Sequence, residues 1–141
     1  MSDDSPRTFS DHSRRYQEMV SRTDRYGAQE KADGYGQACS ACGDMIEFYL
    51  RLRAERLQLV TFQVRGCVHM VACGNTVSIL SEGRTCEDAW RISAADISGY
   101  LQTLAREQYH CAELAVSAFL TALADCQRLR REPWKKMYRR G

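Results

Sequence analysis

The feature that most constrains this chain is a change of period near its middle. From Met45 to Arg53, Ile46, Phe48, Leu50 and Leu52 face one way, and Glu47, Arg51 and Arg53 face the other. Period two marks a half-buried strand. Leu57 to Arg65 is rich in β-formers (Val60, Thr61, Phe62, Val64), with Ala54-Glu55-Arg56 between the two runs. The pair predicts an antiparallel hairpin. Beyond Gly66 the apolar residues recur every three or four positions, which is the helical period. A chain that places strands first and helices after is expected to be α+β. Its architecture would be a small antiparallel sheet of two to three strands with several helices packed on one face.

The helices are expected over Val68 to Ser81, from a start at Thr85-Cys86-Glu87-Asp88, over Ile92 to Ala105, and over Gln108 to Arg131. Gly83 ends the first, Ser93 or Asp96 starts the third, and Pro133 blocks the last. Thr8 to Arg25 has only a sparse apolar set (Phe9, Tyr16, Met19, Val20) and reads as a weak helix. Tyr26 to Gly43 is rich in Gly, Ala and Ser and reads as loop or irregular strand, which could add a third strand. Residues 1–7 read as a disordered start, 8–131 as one domain, and 132–141 as a basic tail. That tail reads as a solvated end, with a docking role through Trp134 and Tyr138 as the alternative.

The chain has 141 residues, 44% of them hydrophobic, enough for one domain with a real core. A net charge of +2 is too balanced to point to nucleic acid. No stretch approaches the ~18 apolar residues of a membrane span. The first seven residues carry no apolar signal region, so the expected compartment is the cytosol.

Seven cysteines are many for a cytosolic chain, where thiols stay reduced and disulfide frameworks are rare. Their positions are the informative part. Cys42, in Ala41-Cys42-Gly43-Asp44, sits where loop becomes strand. Cys67 follows Gly66, where the hairpin ends and a helix begins. His110 and Cys111 open the last helix. These are element boundaries, where side chains from distant segments can converge. The helix N-termini at Cys67 and Cys111 favour thiolate, the form that binds metal and attacks a persulfide. Three thiolates with Asp44 or His110 make a four-ligand set suited to zinc or an iron–sulfur cluster. The spacing is unlike a zinc finger, which uses close cysteine pairs.

The remaining thiols read differently. Cys39 makes a Cys-x-x-Cys with Cys42 and is an extra ligand or sulfur-relay candidate, with an idle exposed thiol as the plain alternative. Cys73 lies about 240° around its helix from Cys67 and is expected to point away from the site. Cys86 and Cys126 read as packing residues, and His69 as a helix-entry residue.

The motifs resemble those of the U-type iron–sulfur scaffolds, the IscU and NifU N-terminal-like proteins. The matching pieces are Ala41-Cys42-Gly43-Asp44, Gly66-Cys67, Ser81-Glu82-Gly83-Arg84-Thr85 with Asp88-Ala89, and His110-Cys111-Ala112-Glu113-Leu114-Ala115. Their order holds from about Gly36 to Arg128. The resemblance implies a SufE/NifU-like fold and ligand roles for Cys42, Cys67 and Cys111, with Asp44 and His110 as the auxiliary pair. It implies a scaffold, not an enzyme. The scaffold would take sulfur from a cysteine desulfurase, take iron and electrons from donors, build a transient [2Fe–2S] cluster and pass it to recipient apoproteins. The chain is too short between the second and third motifs for the SufU branch, and looks more like the IscU/NifU branch, standing alone without an appended domain. Where that branch carries Leu-Pro-Pro-Val-Lys, this chain has Leu104-Ala105-Arg106-Glu107-Gln108, so delivery through the chaperone that reads that motif is not expected. The alternative is a zinc-bound sulfur acceptor that stimulates a desulfurase without holding a cluster. A hydrolytic zinc enzyme ranks third, since Glu113 is its only nearby general base and no zincin or deaminase motif surrounds it.

Overall fold

In a computed structural model, residues 13–131 are described. The segments 1–12 and 132–141 lie outside them, and with them the expected disordered start and basic tail. The order is α1 (Arg14–Ser21), β1 (Gly34–Cys39), β2 (Met45–Arg53), β3 (Arg56–Arg65), α2 (Val68–Ser81), α3 (Cys86–Ala89), α4 (Ala94–Leu101), a 3₁₀ turn (Arg106–Gln108) and α5 (Tyr109–Arg131). The strands form one antiparallel sheet in sequence order. The α+β expectation is correct, and the sheet has three strands.

The hairpin obeys its alternation. Ile46, Phe48 and Leu50 pair with Val64, Phe62 and Val60 on one face, and all but the half-buried Val64 are fully buried. That face takes the helices: Phe48 meets Phe119 of α5 edge-on at 5.7 Å between ring centroids. Ala54 and Glu55 turn the hairpin with positive φ at both positions, matching the right-handed twist of the strands. On the opposite face, Gln29 Nε2 donates to the Tyr49 carbonyl at 2.9 Å and to Thr61 Oγ1 at 3.1 Å, so the chain before β1 closes part of that side.

The expected irregular strand is β1, and its glycines explain its weak pattern. Gly34 and Gly36 occupy core-facing positions, where α5 lies directly on the backbone. A Cβ on Gly36 would sit 2.5 Å from the Ala118 carbonyl oxygen. The Ala118 and Ala122 stripe of α5 lets the helix approach that closely.

Several helix ends differ from expectation. Within the described residues, the weak first helix is only Arg14–Ser21, started by Ser13, whose side chain accepts the Tyr16 N–H. The Cys86 helix is a single turn capped by Thr85. The helix expected from Ile92 starts at Ala94, where Ser93 and Asp96 form a capping box, and stops at Gln102, which has a positive φ (69°). The last helix begins at Tyr109, after the 3₁₀ turn. The Ser81–Thr85 stretch is structural. Gly83 N–H donates to the Leu57 carbonyl at 2.8 Å, and Leu57 N–H to the Arg84 carbonyl at 2.9 Å, which fasten the end of α2 to β3.

Candidate metal centre

The site grows out of three chain reversals. Residues 40–44 form a tight turn between β1 and β2: Ser40 N–H donates to the Asp44 carbonyl at 2.8 Å, and Asp44 N–H to Ser40 Oγ at 3.2 Å. Gly66 turns β3 into α2, with Cys67 as the N-cap residue of the helix. A Cβ on Gly66 would lie 2.9 Å from Asp44 Oδ1, so the missing side chain is what lets the carboxylate approach this corner. Leu104 to Gln108 bring the chain back, and α5 opens with His110 and Cys111.

Two thiols and an imidazole meet there. Cys67 Sγ and Cys111 Sγ are 4.0 Å apart, and Cys111 Sγ is 3.7 Å from His110 Nε2. Cys67 is exposed and Cys111 is buried, so the pair spans the boundary between solvent and core. Burial pushes the Cys111 thiol up to about 12, with Cys67 and the Asp44 carboxylate adding to the effect. A thiol held protonated in this way is one that a cation would deprotonate on binding. His110 Nδ1 donates to the Glu107 carbonyl at 2.9 Å, which orients the ring with Nε2 toward Cys111.

The donor set fits a soft cation. Two thiolates at ~2.3 Å from one tetrahedral ion stand about 3.8 Å apart, and a thiolate–imidazole pair about 3.6 Å. The observed separations fall beside both. The fit is partial, because among the described residues no three His, Cys, Asp or Glu side chains are arranged to hold a metal ion together.

The other expected residues are placed as follows. Asp44 is half-buried and close enough to raise the Cys111 thiol. Cys42 is exposed in the 40–44 turn, two residues before Asp44. Cys39 is exposed at the end of β1, where it pairs with Met45. Strand alternation puts it with Tyr35 and Gln37, on the sheet face away from the helices. The loop between Cys39 and Cys42 belongs to the hydrogen-bonded 40–44 turn. Cys73 is fully buried in the core, and its thiol is raised by burial first, then by Cys111 and Cys67.

Sequence reasoning missed the surroundings of His69. Its Nδ1 is hydrogen-bonded to the Tyr16 hydroxyl, and its Nε2 lies 2.6 Å from Gln108 Nε2. The available signal was positional: polar residues two after Cys67 and two before His110, both at helix entries.

With this geometry in view, comparison with known proteins is informative. The NifU-like N-terminal domain family model matches residues 16–132. The chain belongs to that family. An iron–sulfur cluster assembly scaffold protein, IscU 1 of Archaeoglobus fulgidus, is 30% identical over 100 residues, covering 70% of this chain and 65% of the relative. The nitrogen fixation protein NifU of Azotobacter chroococcum is 29% identical over 118 residues, 82% of this chain but 38% of the relative. The matched stretch therefore spans less than two thirds of either relative. Among solved structures, the N-terminal part of a NifU-like protein from Brucella abortus superposes with a TM-score of 0.68 at 15% identity, covering 82% of this chain and 94% of that one. That likeness bears out the fold expected from the sequence. No helix among the described residues is long and apolar enough to cross a membrane.

Proposed function

We propose that this protein is a scaffold on which an iron–sulfur cluster, a [2Fe–2S] unit, is assembled and then released. The observation that carries the reading is the approach of Cys67 Sγ to Cys111 Sγ at 4.0 Å, with His110 Nε2 3.7 Å from the latter. In this reading Cys67 and Cys111 hold one end of the cargo. Cys42 and Asp44, both of the 40–44 turn, are assigned the other, and His110 is an exchangeable donor. Sulfur comes from a cysteine desulfurase, iron and electrons from separate donors, and the finished cluster goes to apoproteins. Cys42 and Cys67 are the exposed thiols of the set, so they are the ones a partner can reach.

The mixed donor set suits transfer better than storage. Asp44 supplies a hard oxygen that competes poorly for a soft cation, so the cargo is held less firmly than by four thiolates. Storage and electron transfer favour the all-thiolate set. Nothing in this chemistry turns over a substrate, so the protein is a carrier, working in the cytosol.

A second reading draws on the same distances. The sulfur–sulfur and sulfur–nitrogen separations match a single tetrahedral ion, which favours zinc. A zinc-bound sulfur acceptor that stimulates a desulfurase would use the same residues. Anaerobic incubation with ferrous iron, cysteine, a desulfurase and a thiol reductant that supplies the remaining electrons separates the two. Visible absorption and Mössbauer spectra of a [2Fe–2S] unit, with transfer to an apo-ferredoxin, are the expected result. Desulfurase stimulation by the zinc form, with no cluster formed, would establish the second reading and overturn the first.

A further inference from the structure

The ring of His69 is held from both sides by different parts of the chain. Gln108, in the 3₁₀ turn before α5, places its amide nitrogen 2.6 Å from His69 Nε2. The amide is oriented by its own oxygen, which accepts the Ala105 N–H at 3.3 Å. Nitrogen is therefore the atom facing the ring, and an amide nitrogen only donates. His69 Nε2 is then the acceptor of this bond, and Nδ1 is the ring nitrogen that donates. The Nδ1 proton is donated to the Tyr16 hydroxyl of α1. The Tyr16 phenol is buried, and its own O–H proton then points away from His69. Cys73, Cys67 and Cys111 lie close enough that their charges, after burial, raise the phenol's pKa.

These bonds link the three segments that border the thiol pair. His69 is two residues beyond Cys67, Gln108 is three residues before Cys111, and α1 closes the third side. Ser13 fastens α1 to the same region, since Ser13 Oγ donates to the Leu101 carbonyl at 2.7 Å and Ser13 N–H donates to Thr103 Oγ1 at 3.0 Å.

We propose that Tyr16, His69 and Gln108 form a positioning tie that holds Cys67 and Cys111 at metal-binding separation, with His69 fixed as the Nδ1–H tautomer and not serving as a ligand. The proposal rests on the reading that Cys67 and Cys111 share a metal guest. The tie acts through the directions of its hydrogen bonds. Gln108 must donate, His69 must accept at Nε2 and donate at Nδ1, and Tyr16 must accept. A side chain of the right size with the wrong polarity breaks the sequence.

A substitution series in the full chain tests this. Gln108→Leu removes the donor. Gln108→Glu keeps an oxygen for the Ala105 N–H and presents an acceptor to His69. Gln108→Lys keeps a donor of similar reach. Zinc affinity is read by competition with a chromophoric chelator, and the His69 tautomer of the metal-free protein by ¹⁵N NMR. The parent and Gln108→Lys should show a proton on Nδ1 and a bare Nε2, whereas Gln108→Glu should place a proton on Nε2. Zinc affinity should fall ~10–100-fold in Gln108→Leu, the usual cost of losing an outer-shell partner, and Gln108→Lys should recover most of it. A parent ring protonated on Nε2 would overturn the proposal. So would equal zinc affinity in the parent, Leu and Lys proteins, even if Gln108→Leu melted at a lower temperature. A parent protein that binds no zinc fails the metal reading itself and takes the tie's role down with it, whereas equal binding across the series sinks the tie alone.

Discussion

Helix α5 carries one thiol in its first turn and another fifteen residues on, and the two live in opposite surroundings. Cys111 faces Cys67 at the rim, where burial, Cys67 and Asp44 push its thiol up to about 12. Cys126 lies against Cys86 at the foot of α3, under β1. There the Cys126 thiol hydrogen-bonds Cys86 and brings it down to about 7, with Arg130 assisting and Glu55 opposing. Cys126 itself is pushed up by the same bond and by burial. Closeness of two sulfurs therefore does not define a metal site. What distinguishes the rim is an imidazole nitrogen 3.7 Å from Cys111 Sγ and a neighbouring thiol that is open to solvent. At Cys86 the nearby carboxylate, Glu55, is already paired with Arg130.

The sharpest way to break this contrast is to remove the thiols one at a time. Cys67→Ser and Cys111→Ser should each weaken zinc binding by more than about a hundredfold, beyond the ~10–100-fold cost of losing an outer partner, and should prevent cluster assembly. Cys86→Ser should bind zinc like the parent. Chelator competition gives the zinc values. If Cys86→Ser lost metal as completely as Cys111→Ser, the two pairs would not be distinct in kind.

A second test concerns packing. The far half of α5 rests on backbone: a Cβ on Gly36 meets the Ala118 carbonyl oxygen at 2.5 Å, and one on Gly34 meets Cys126 Cβ at 2.8 Å. Backbone cannot step aside, so Gly36→Ala should cost about 3 kcal/mol or more in urea denaturation, the upper part of the range for overpacking. At the rim, a Cβ on Gly66 meets Asp44 Oδ1 at 2.9 Å and Met70 Sδ at 3.1 Å, both ends of flexible side chains. Gly66 sits at φ +156°, where an alanine is strained, so Gly66→Ala should cost about 1–2 kcal/mol in the same denaturation, less than Gly36→Ala, while binding zinc less well. Equal destabilisation by the two substitutions would remove the distinction between a rigid foot and a yielding rim.

The same contrast explains what the sequence shows and what it hides. The β2–β3 register is readable because Ile46, Phe48 and Leu50 alternate with polar residues, and a slip of one would bury Glu47. Strand β1 is nearly invisible because Gly34 and Gly36 stand at its core positions and the atoms they pack against belong to a helix some 85 residues later. The convergence of Cys67 and Cys111 is readable because both open helices. The Tyr16–His69–Gln108 tie is not, since it joins three polar side chains from separate elements and no local pattern marks a polar pair across such distances.

A smaller effect should appear in the pH dependence of stability of the reduced, metal-free protein. Cys86 falls from its ordinary 9.0 to about 7 on folding. Between those values the folded state has released a proton that the unfolded state still holds, so stability rises from pH 7 to 9 and is lost again as pH falls through 7. Cys111 rises from 9.0 to about 12, so above pH 9 the unfolded state ionises while the folded state does not, and stability declines. The two thiols thus pull the profile in opposite directions on either side of pH 9. The Cys86 contribution should be on the order of 1–2 kcal/mol, since one pKa unit corresponds to about 1.4 kcal/mol at most. Urea denaturation of the parent and of Cys86→Ala from pH 6 to 10 isolates it. The difference between the two should grow from pH 7 to 9. A constant difference would show that Arg130 and Cys126 do not favour a thiolate at Cys86.

The smallest expected effect is that of Asp44 on its neighbouring thiol. Among the influences that raise Cys111, the Asp44 carboxylate ranks below burial and below Cys67. Its negative charge disfavours a second one on the sulfur, so Asp44→Ala should lower the Cys111 pKa by less than about one unit, under 1.4 kcal/mol. At pH 8 the thiol is almost wholly protonated in both proteins. In that regime the thiolate fraction, and with it the alkylation rate, grows about tenfold for each full unit by which the pKa drops. Iodoacetamide labelling of the metal-free protein, read by peptide mass spectrometry, should show Cys111 reacting several times faster in Asp44→Ala. Cys86 should react at an unchanged rate in the same sample, because Asp44 is not among the groups that shift it. That internal control separates a local charge effect from general loosening, which would speed both thiols. An unchanged Cys111 rate would mean that the carboxylate is screened from the sulfur by solvent, and Asp44 would then lose its place beside the rim thiols.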